Sequence, residues 1–192
     1  MTTIFFVRHS EPDLSVHDDD IRPLSPKGER DCALVTKFLQ DKDIEVALSS
    51  PFKRSIDTLL PFTNSIGLQV ETIEDFRERK IADEWIADFT AFTKKQWADF
   101  SYKLSDGECL SEVQERNIAA LEKVLEQYQG KNIVIGTHGT ALSTIINYYD
   151  KTYGYKDFQS IASVFPWLVK IKFDGKTCVE IEKINLFDLA LD

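Results

Sequence analysis

Ile4-Phe5-Phe6-Val7 is an unbroken run of apolar β-formers, and Asn132-Ile133-Val134-Ile135-Gly136 repeats the pattern far along the chain. A strand with one wet face alternates apolar and polar residues. A continuous run must instead be covered on both faces, as in a parallel sheet held between helical layers. Two weaker strand patterns accompany them, Glu45-Val46-Ala47-Leu48 and the alternating Leu68-Gln69-Val70-Glu71-Thr72-Ile73. Helical patterns lie between. Ser25-Pro26 reads as an N-cap with proline at the first helical position, followed by Cys32, Leu34, Val35, Phe38 and Leu39 on one face. Ser50-Pro51 repeats that start signal before a helix running to about Ile66. Residues 110–128 carry an apolar stripe of Val113, Leu121, Val124 and Leu125, and a further helix follows Gly139.

This alternation predicts a three-layer α/β/α sandwich with a mostly parallel sheet. The end of the chain differs. Residues 168–173 and 177–184 flank Asp174-Gly175, a hairpin signal that predicts an antiparallel edge. The aromatic stretch Trp85, Phe89, Phe92, Trp97 and Phe100 reads as a helical excursion at about 85–105, over the ligand-binding end of the sheet. It suits a core or subunit contact as well as a substrate wall.

A length of 192 residues fits one domain spanning 1–192. With 23 basic against 32 acidic residues the net charge is −9, which argues against a sequence-independent grip on nucleic acid. An anionic ligand must then be drawn by a local basic pocket. Cys32, Cys109 and Cys178 fit no zinc or redox spacing and read as reduced thiols. The apolar run before Arg8 is too short for a signal-peptide core, and the run 161–169, interrupted by Pro166, is too short to span a bilayer. The expected location is the cytoplasm, with no membrane partner.

In open α/β sheets ligands bind beyond the carboxyl ends of the strands. Arg8-His9-Ser10-Glu11 follows the first strand and Ser49-Ser50-Pro51-Phe52-Lys53-Arg54 the second. Glu74-Asp75-Phe76-Arg77-Glu78-Arg79 follows the third, and Thr137-His138-Gly139-Thr140 the fourth. Such a rim suits a phosphoryl group, whose transition-state charge is stabilised by positioned cations. Arginine offers phosphate a planar fork of donors, and Arg54 falls in the first turn of a predicted helix, whose N-terminus favours the same anion. A histidine whose free ring nitrogen is neutral is a competent nucleophile. His17 sits among Asp18, Asp19 and Asp20 and reads as a solvated loop residue.

Four of these segments resemble the histidine phosphatase superfamily, also called phosphoglycerate-mutase-like. Arg8-His9-Ser10-Glu11 is similar to its Arg-His-Gly signature. The segment Ser49-Ser50-Pro51-Phe52-Lys53-Arg54-Ser55-Ile56-Asp57-Thr58 is similar to its Ser-Ser-Pro-x-x-Arg-Ala-x-x-Thr element. Phe76-Arg77-Glu78-Arg79 resembles the segment of the catalytic glutamate, and Thr137-His138-Gly139 the second histidine motif. The resemblance implies that His9 takes the phosphoryl group and that Glu78 acts as general acid, then as base. It implies that Arg8, Arg54, His138 and Ser10 form the phosphate pocket, with His138 also catalytic and Ser10 small enough to stand where the family has glycine. Asp83 and Glu84 are the fallback carboxylates. The chain departs from the family at Pro12 and Asp13, in lacking Trp-Glu-Gly after the glutamate, and at Asp106-Gly107-Glu108-Cys109, which resembles a Gly-Glu-Ser element.

The expected function is therefore hydrolysis of a phosphate monoester, a small molecule first and a phosphoprotein second. No metal or organic cofactor is implied: the spacing fits no zinc motif, and arginines repel a cation. A mutase using the same residues and a non-catalytic phosphate-binding module are the two rival readings. The sequence leaves the ester and the oligomeric state open.

Overall fold

In a computed structural model, which describes residues 1–83 and 86–189, the two apolar runs become central strands of a six-stranded sheet. Its strands are β1 (Thr2–Arg8), β2 (Val46–Ser49), β3 (Val70–Thr72), β4 (Asn132–Thr137), β5 (Trp167–Asp174) and β6 (Thr177–Ile184). Their order is β3-β2-β4-β1-β5-β6. The first four are parallel, β5 runs antiparallel to β1, and β6 antiparallel to β5. The antiparallel edge is thus two strands wide, turned at Gly175, whose φ of +56° suits glycine.

Alternate residues of β1 enter opposite cores. Ile4 and Phe6 pack with Ile133, Ile135 and the helices α4 (Leu110–Gln127) and α5 (Gly139–Tyr149). Phe5 and Val7 pack with Val134 and the helices α1 (Pro26–Leu39) and α2 (Lys53–Ser65). This period of two, with both faces covered, is what an unbroken apolar run requires. Each such side chain contributes roughly 1.5–3 kcal/mol by leaving water. Ser25 caps α1, its Oγ accepting from the Gly28 amide at 3.0 Å.

Three elements depart from the sequence reading. β3 is confined to Val70–Thr72, and ahead of it the Leu68 amide is committed to the end of α2, donating to the Thr63 carbonyl at 2.9 Å. α2 begins at Lys53 with Phe52 as its N-cap, so Ser50 does not cap it. The excursion holds one helix, α3 (Phe89–Ala98). Trp97 joins the core against Tyr153 and Phe158 near α6 (Tyr155–Ser160), while Phe89 is exposed. Trp85 and Glu84 lie outside the described residues. The short α7 (Leu186–Leu189) closes on α1. Among the described residues no helix is long and apolar enough to cross a membrane.

Candidate active site

Strand register brings the predicted residues together. Arg8 of β1 pairs with Thr137 of β4, and the His9 amide donates to the Thr137 carbonyl at 3.1 Å. His9 and His138 therefore leave adjacent strands side by side, ring centroids 5.2 Å apart. Ser49 of β2 pairs with Gly136, and the Ser50 amide donates to the Gly136 carbonyl at 2.9 Å, so the next strand ends at the same rim. Gly139 leaves room for this crowding. A Cβ there would stand 3.1–3.2 Å from the Arg8 guanidinium.

His9 is 6% exposed and its hydrogen bonds fix its tautomer. Nδ1 lies 2.7 Å from the Ser10 carbonyl, which can only accept, so Nδ1 carries the proton. Nε2 accepts from Arg54 Nε–H at 3.2 Å, as an unprotonated nitrogen must. Burial, then the charges of Arg54 and Arg8, hold the ring well below the ordinary histidine pKa. Neutral His9 thus presents the Nε2 lone pair beside a guanidinium.

His138 is completely buried. Its Nε2 lies 2.6 Å from Ser50 Oγ, and burial followed by Arg54 holds it too well below the ordinary value. Arg8 donates from Nη1 to the carbonyls of Ile161 and Val164, and from Nη2 to that of Ala162. Its guanidinium lies 3.7 Å from the centre of the Phe165 ring, which also faces His9 at 5.6 Å. Burial lowers Arg8 to about 10, which leaves it charged at neutral pH. Arg8 Nε and His138 Nδ1 are buried without a partner among the described residues.

Ser10 is placed differently from the other pocket residues. Its side chain is buried against Cys32, while its carbonyl orients His9 and its amide donates to Thr58 Oγ1 at 2.9 Å.

Glu78 lies in a charge run that would ordinarily be a solvated face, yet it is docked at the N-terminus of α5. Its Oε2 accepts from the Thr140 amide at 2.9 Å and its Oε1 from the Ala141 amide at 3.1 Å, where helix amides favour a carboxylate. Its charge also acts on Arg8 and Arg54. Asp83, the fallback, is instead an exposed partner of Lys80 at 2.6 Å. Arg79 is buried beneath Phe89 and Phe92 of α3 and donates to Gln96.

Sequence reasoning missed the loop 13–22. Arg54 Nη1 donates to the Asp19 carbonyl at 2.6 Å, and its Nη2 lies 3.3 Å from Asp19 Oδ1. The same carboxylate binds Arg22 Nη1 at 2.6 Å. Arg22 is buried and ties the loop down through the carbonyls of Val16 and His17. His17 is exposed, as expected, but its loop is fastened over Arg54. Nothing in the local sequence marks Arg22 or Phe165. Ser50 and Thr58, by contrast, lie inside a motif already singled out. Among the described residues no group of three or more His, Cys, Asp or Glu is placed to hold a metal ion.

Comparison with known proteins gives the family. The family model of the histidine phosphatase superfamily (branch 1) matches residues 4–185. An uncharacterized phosphatase, PhoE, of Bacillus subtilis is 28% identical over 90% of this chain and 89% of its own. A probable phosphoglycerate mutase, GpmB, of Yersinia enterocolitica is 25% identical over 77% of this chain and 74% of its own. A phosphoserine phosphatase mutant of Entamoeba histolytica, solved with phosphoserine, superposes with a TM-score of 0.77 at 18% identity, covering 96% of this chain and 97% of that one. With the matched segments spanning nearly the whole sheet and its rim, the chain belongs to the histidine phosphatase superfamily.

Proposed function

We propose that this protein hydrolyses a small phosphate monoester in two in-line steps through a phosphohistidine on His9. The observation that carries the reading is the state of that ring: Nδ1–H held by the Ser10 carbonyl, Nε2 free of a proton beside Arg54. In the first step the Nε2 lone pair attacks phosphorus and the bond to the ester oxygen breaks. The proton arrives on the ester monoanion, passes to Glu78, and Glu78 gives it to that leaving oxygen. In the second step the Glu78 carboxylate takes a proton from water, whose oxygen attacks phosphorus and releases His9 and inorganic phosphate. Arg54, Arg8 and His138 stabilise charge on the phosphoryl oxygens, the Arg54 Nε–H passing from His9 to an oxygen. Arg8 Nε, a buried donor with unmet demand, suits the same group. Ser10 orients the nucleophile through its carbonyl. The three free thiols suit a reducing compartment such as the cytoplasm.

The substrate class is inferred from relatives: a phosphatase, and a fold neighbour solved with phosphoserine. The mutase-like relative favours a second reading, in which the phosphoryl group returns to another hydroxyl. A panel of small phosphate esters in chelator separates the two. Inorganic phosphate released at the rate of ester loss supports hydrolysis; an isomeric ester without phosphate release supports the mutase.

A further inference from the structure

The segment that carries Glu78 is irregular from residue 77 to residue 83, after a single 3-10 turn at Glu74–Phe76. One side chain of α4 nevertheless gives three of its five N–H donors to the main chain of residues 75–78. Arg116 Nη1 donates to the carbonyls of Asp75 at 2.7 Å and Arg77 at 2.9 Å, and Nη2 donates to that of Glu78 at 3.2 Å. The remaining donors go to Glu108, Nε to Oε1 at 2.8 Å and Nη2 to Oε2 at 3.0 Å. That accounts for all five N–H donors an arginine has.

Glu108 grips the same segment from the other side. Its Oε2 accepts from the Lys80 amide at 2.9 Å, its Oε1 lies 3.3 Å from Arg77 Nη2, and its own amide donates to the Lys80 carbonyl at 2.8 Å. Gly107 allows the approach, because a Cβ there would fall 2.0 Å from the Ile81 carbonyl oxygen. The Gly-Glu element seen in the sequence is therefore one half of a clamp, and Arg116 is the other half. Glu108 is held below the usual carboxylate range by Arg116, against the cost of its partial burial.

We infer that Arg116, held by Glu108, is a positioning residue that fixes the Glu78 carboxyl for proton transfer to the leaving group. It touches only the main chain of Glu78, whose carboxylate faces α5, so it acts through Glu78 and not on the substrate. The inference rests on the acid role of Glu78 proposed above. A backbone clamp with five bonds holds a carboxyl to the tolerance that proton transfer demands, and a looser one loses rate only where a proton must be delivered.

The test compares kcat/KM for two esters in the wild type, Arg116→Lys and Glu78→Gln, since this ratio reports steps up to departure of the alcohol. Glycerol 2-phosphate needs a protonated leaving group; p-nitrophenyl phosphate does not. Glu78→Gln is expected to lose roughly 10²–10⁴-fold on the alkyl ester and under about tenfold on the aryl ester. Arg116→Lys is expected to lose about 10–100-fold on the alkyl ester and under about threefold on the aryl ester, with thermal unfolding retained. If Arg116→Lys does not fold, Glu108→Gln is read in the same way. Equal loss on both esters, or none, in the clamp variant while Glu78→Gln keeps its selectivity overturns the inference about Arg116. Loss of selectivity in Glu78→Gln itself overturns the acid role instead.

Discussion

Ser50 Oγ lies 2.6 Å from Nε2 of His138 and ties the end of β2 to the end of β4. The two residues are both buried, and His138 Nδ1 already lacks a partner among the described residues. Ser50→Ala would leave the imidazole without either bond. Stability should fall by about 1–3 kcal/mol, the cost of an unsatisfied buried polar group. Urea unfolding of the variant beside the wild type measures it, and an unchanged midpoint would show that the contact holds nothing together.

The two site histidines make stability depend on pH in a defined direction. Folded, both are held well below the ordinary value by burial and arginine charge; unfolded, they titrate near 6.5. Below that pH the unfolded chain takes up protons that the folded chain refuses. Stability is therefore greatest above pH 6.5 and falls as pH drops toward the folded-state values, by up to about 1.4 kcal/mol per pH unit for each ring. Urea midpoints between pH 7.5 and 5 should decline, while kcat/KM shows no histidine limb near 6.5, because His9 stays neutral there. A flat stability profile, or activity that halves as pH falls through 6.5, contradicts the assigned ring states.

Arg54 makes contacts that lysine cannot reproduce. Its Nε meets His9 while Nη1 and Nη2 reach the carbonyl and carboxylate of Asp19. A lysine is a point charge without the fork. Arg54→Lys should lower kcat/KM by about 10²–10³-fold, as for loss of a donor aimed at transition-state charge. Steady-state kinetics on p-nitrophenyl phosphate would reveal it; a loss below about fivefold would remove Arg54 from the charge-stabilising set.

Gly139 is held small by Arg8. A Cβ 3.1–3.2 Å from the guanidinium requires it to give way by a few tenths of an ångström. Gly139→Ala should weaken inhibition by inorganic phosphate, since Arg8 is the group displaced. Unchanged inhibition would show that Arg8 stands apart from the phosphate pocket.

How far the sequence could be read follows from where each signal lay. The unbroken runs at Phe5 and Val134 announced a sheet covered on both faces, because burial on two sides leaves no position for a polar residue. Arg8, His9, Arg54 and His138 were legible because strand ends are where a parallel sheet gathers chemistry. Ser50 was read as a helix cap because serine before proline is the usual cap pattern; only the fold reveals that His138 takes its hydroxyl. Glu78 stands out only through its family motif, because its charge run alone reads as a solvated face and local sequence does not show the α5 amides that meet it. Arg22 and Arg116 gave no signal, since their partners are mainly backbone carbonyls, which carry no sequence identity.

The central claim is that His9 carries the phosphoryl group without help from a metal. The most direct measurement is turnover of p-nitrophenyl phosphate in excess chelator, wild type beside His9→Ala, with the wild type quenched during turnover to locate covalent phosphate. The account predicts turnover in chelator, an acid-labile phosphoryl group on His9, and loss of both in a folded His9→Ala. Turnover by His9→Ala near the wild-type rate, or covalent phosphate on another residue, would contradict it.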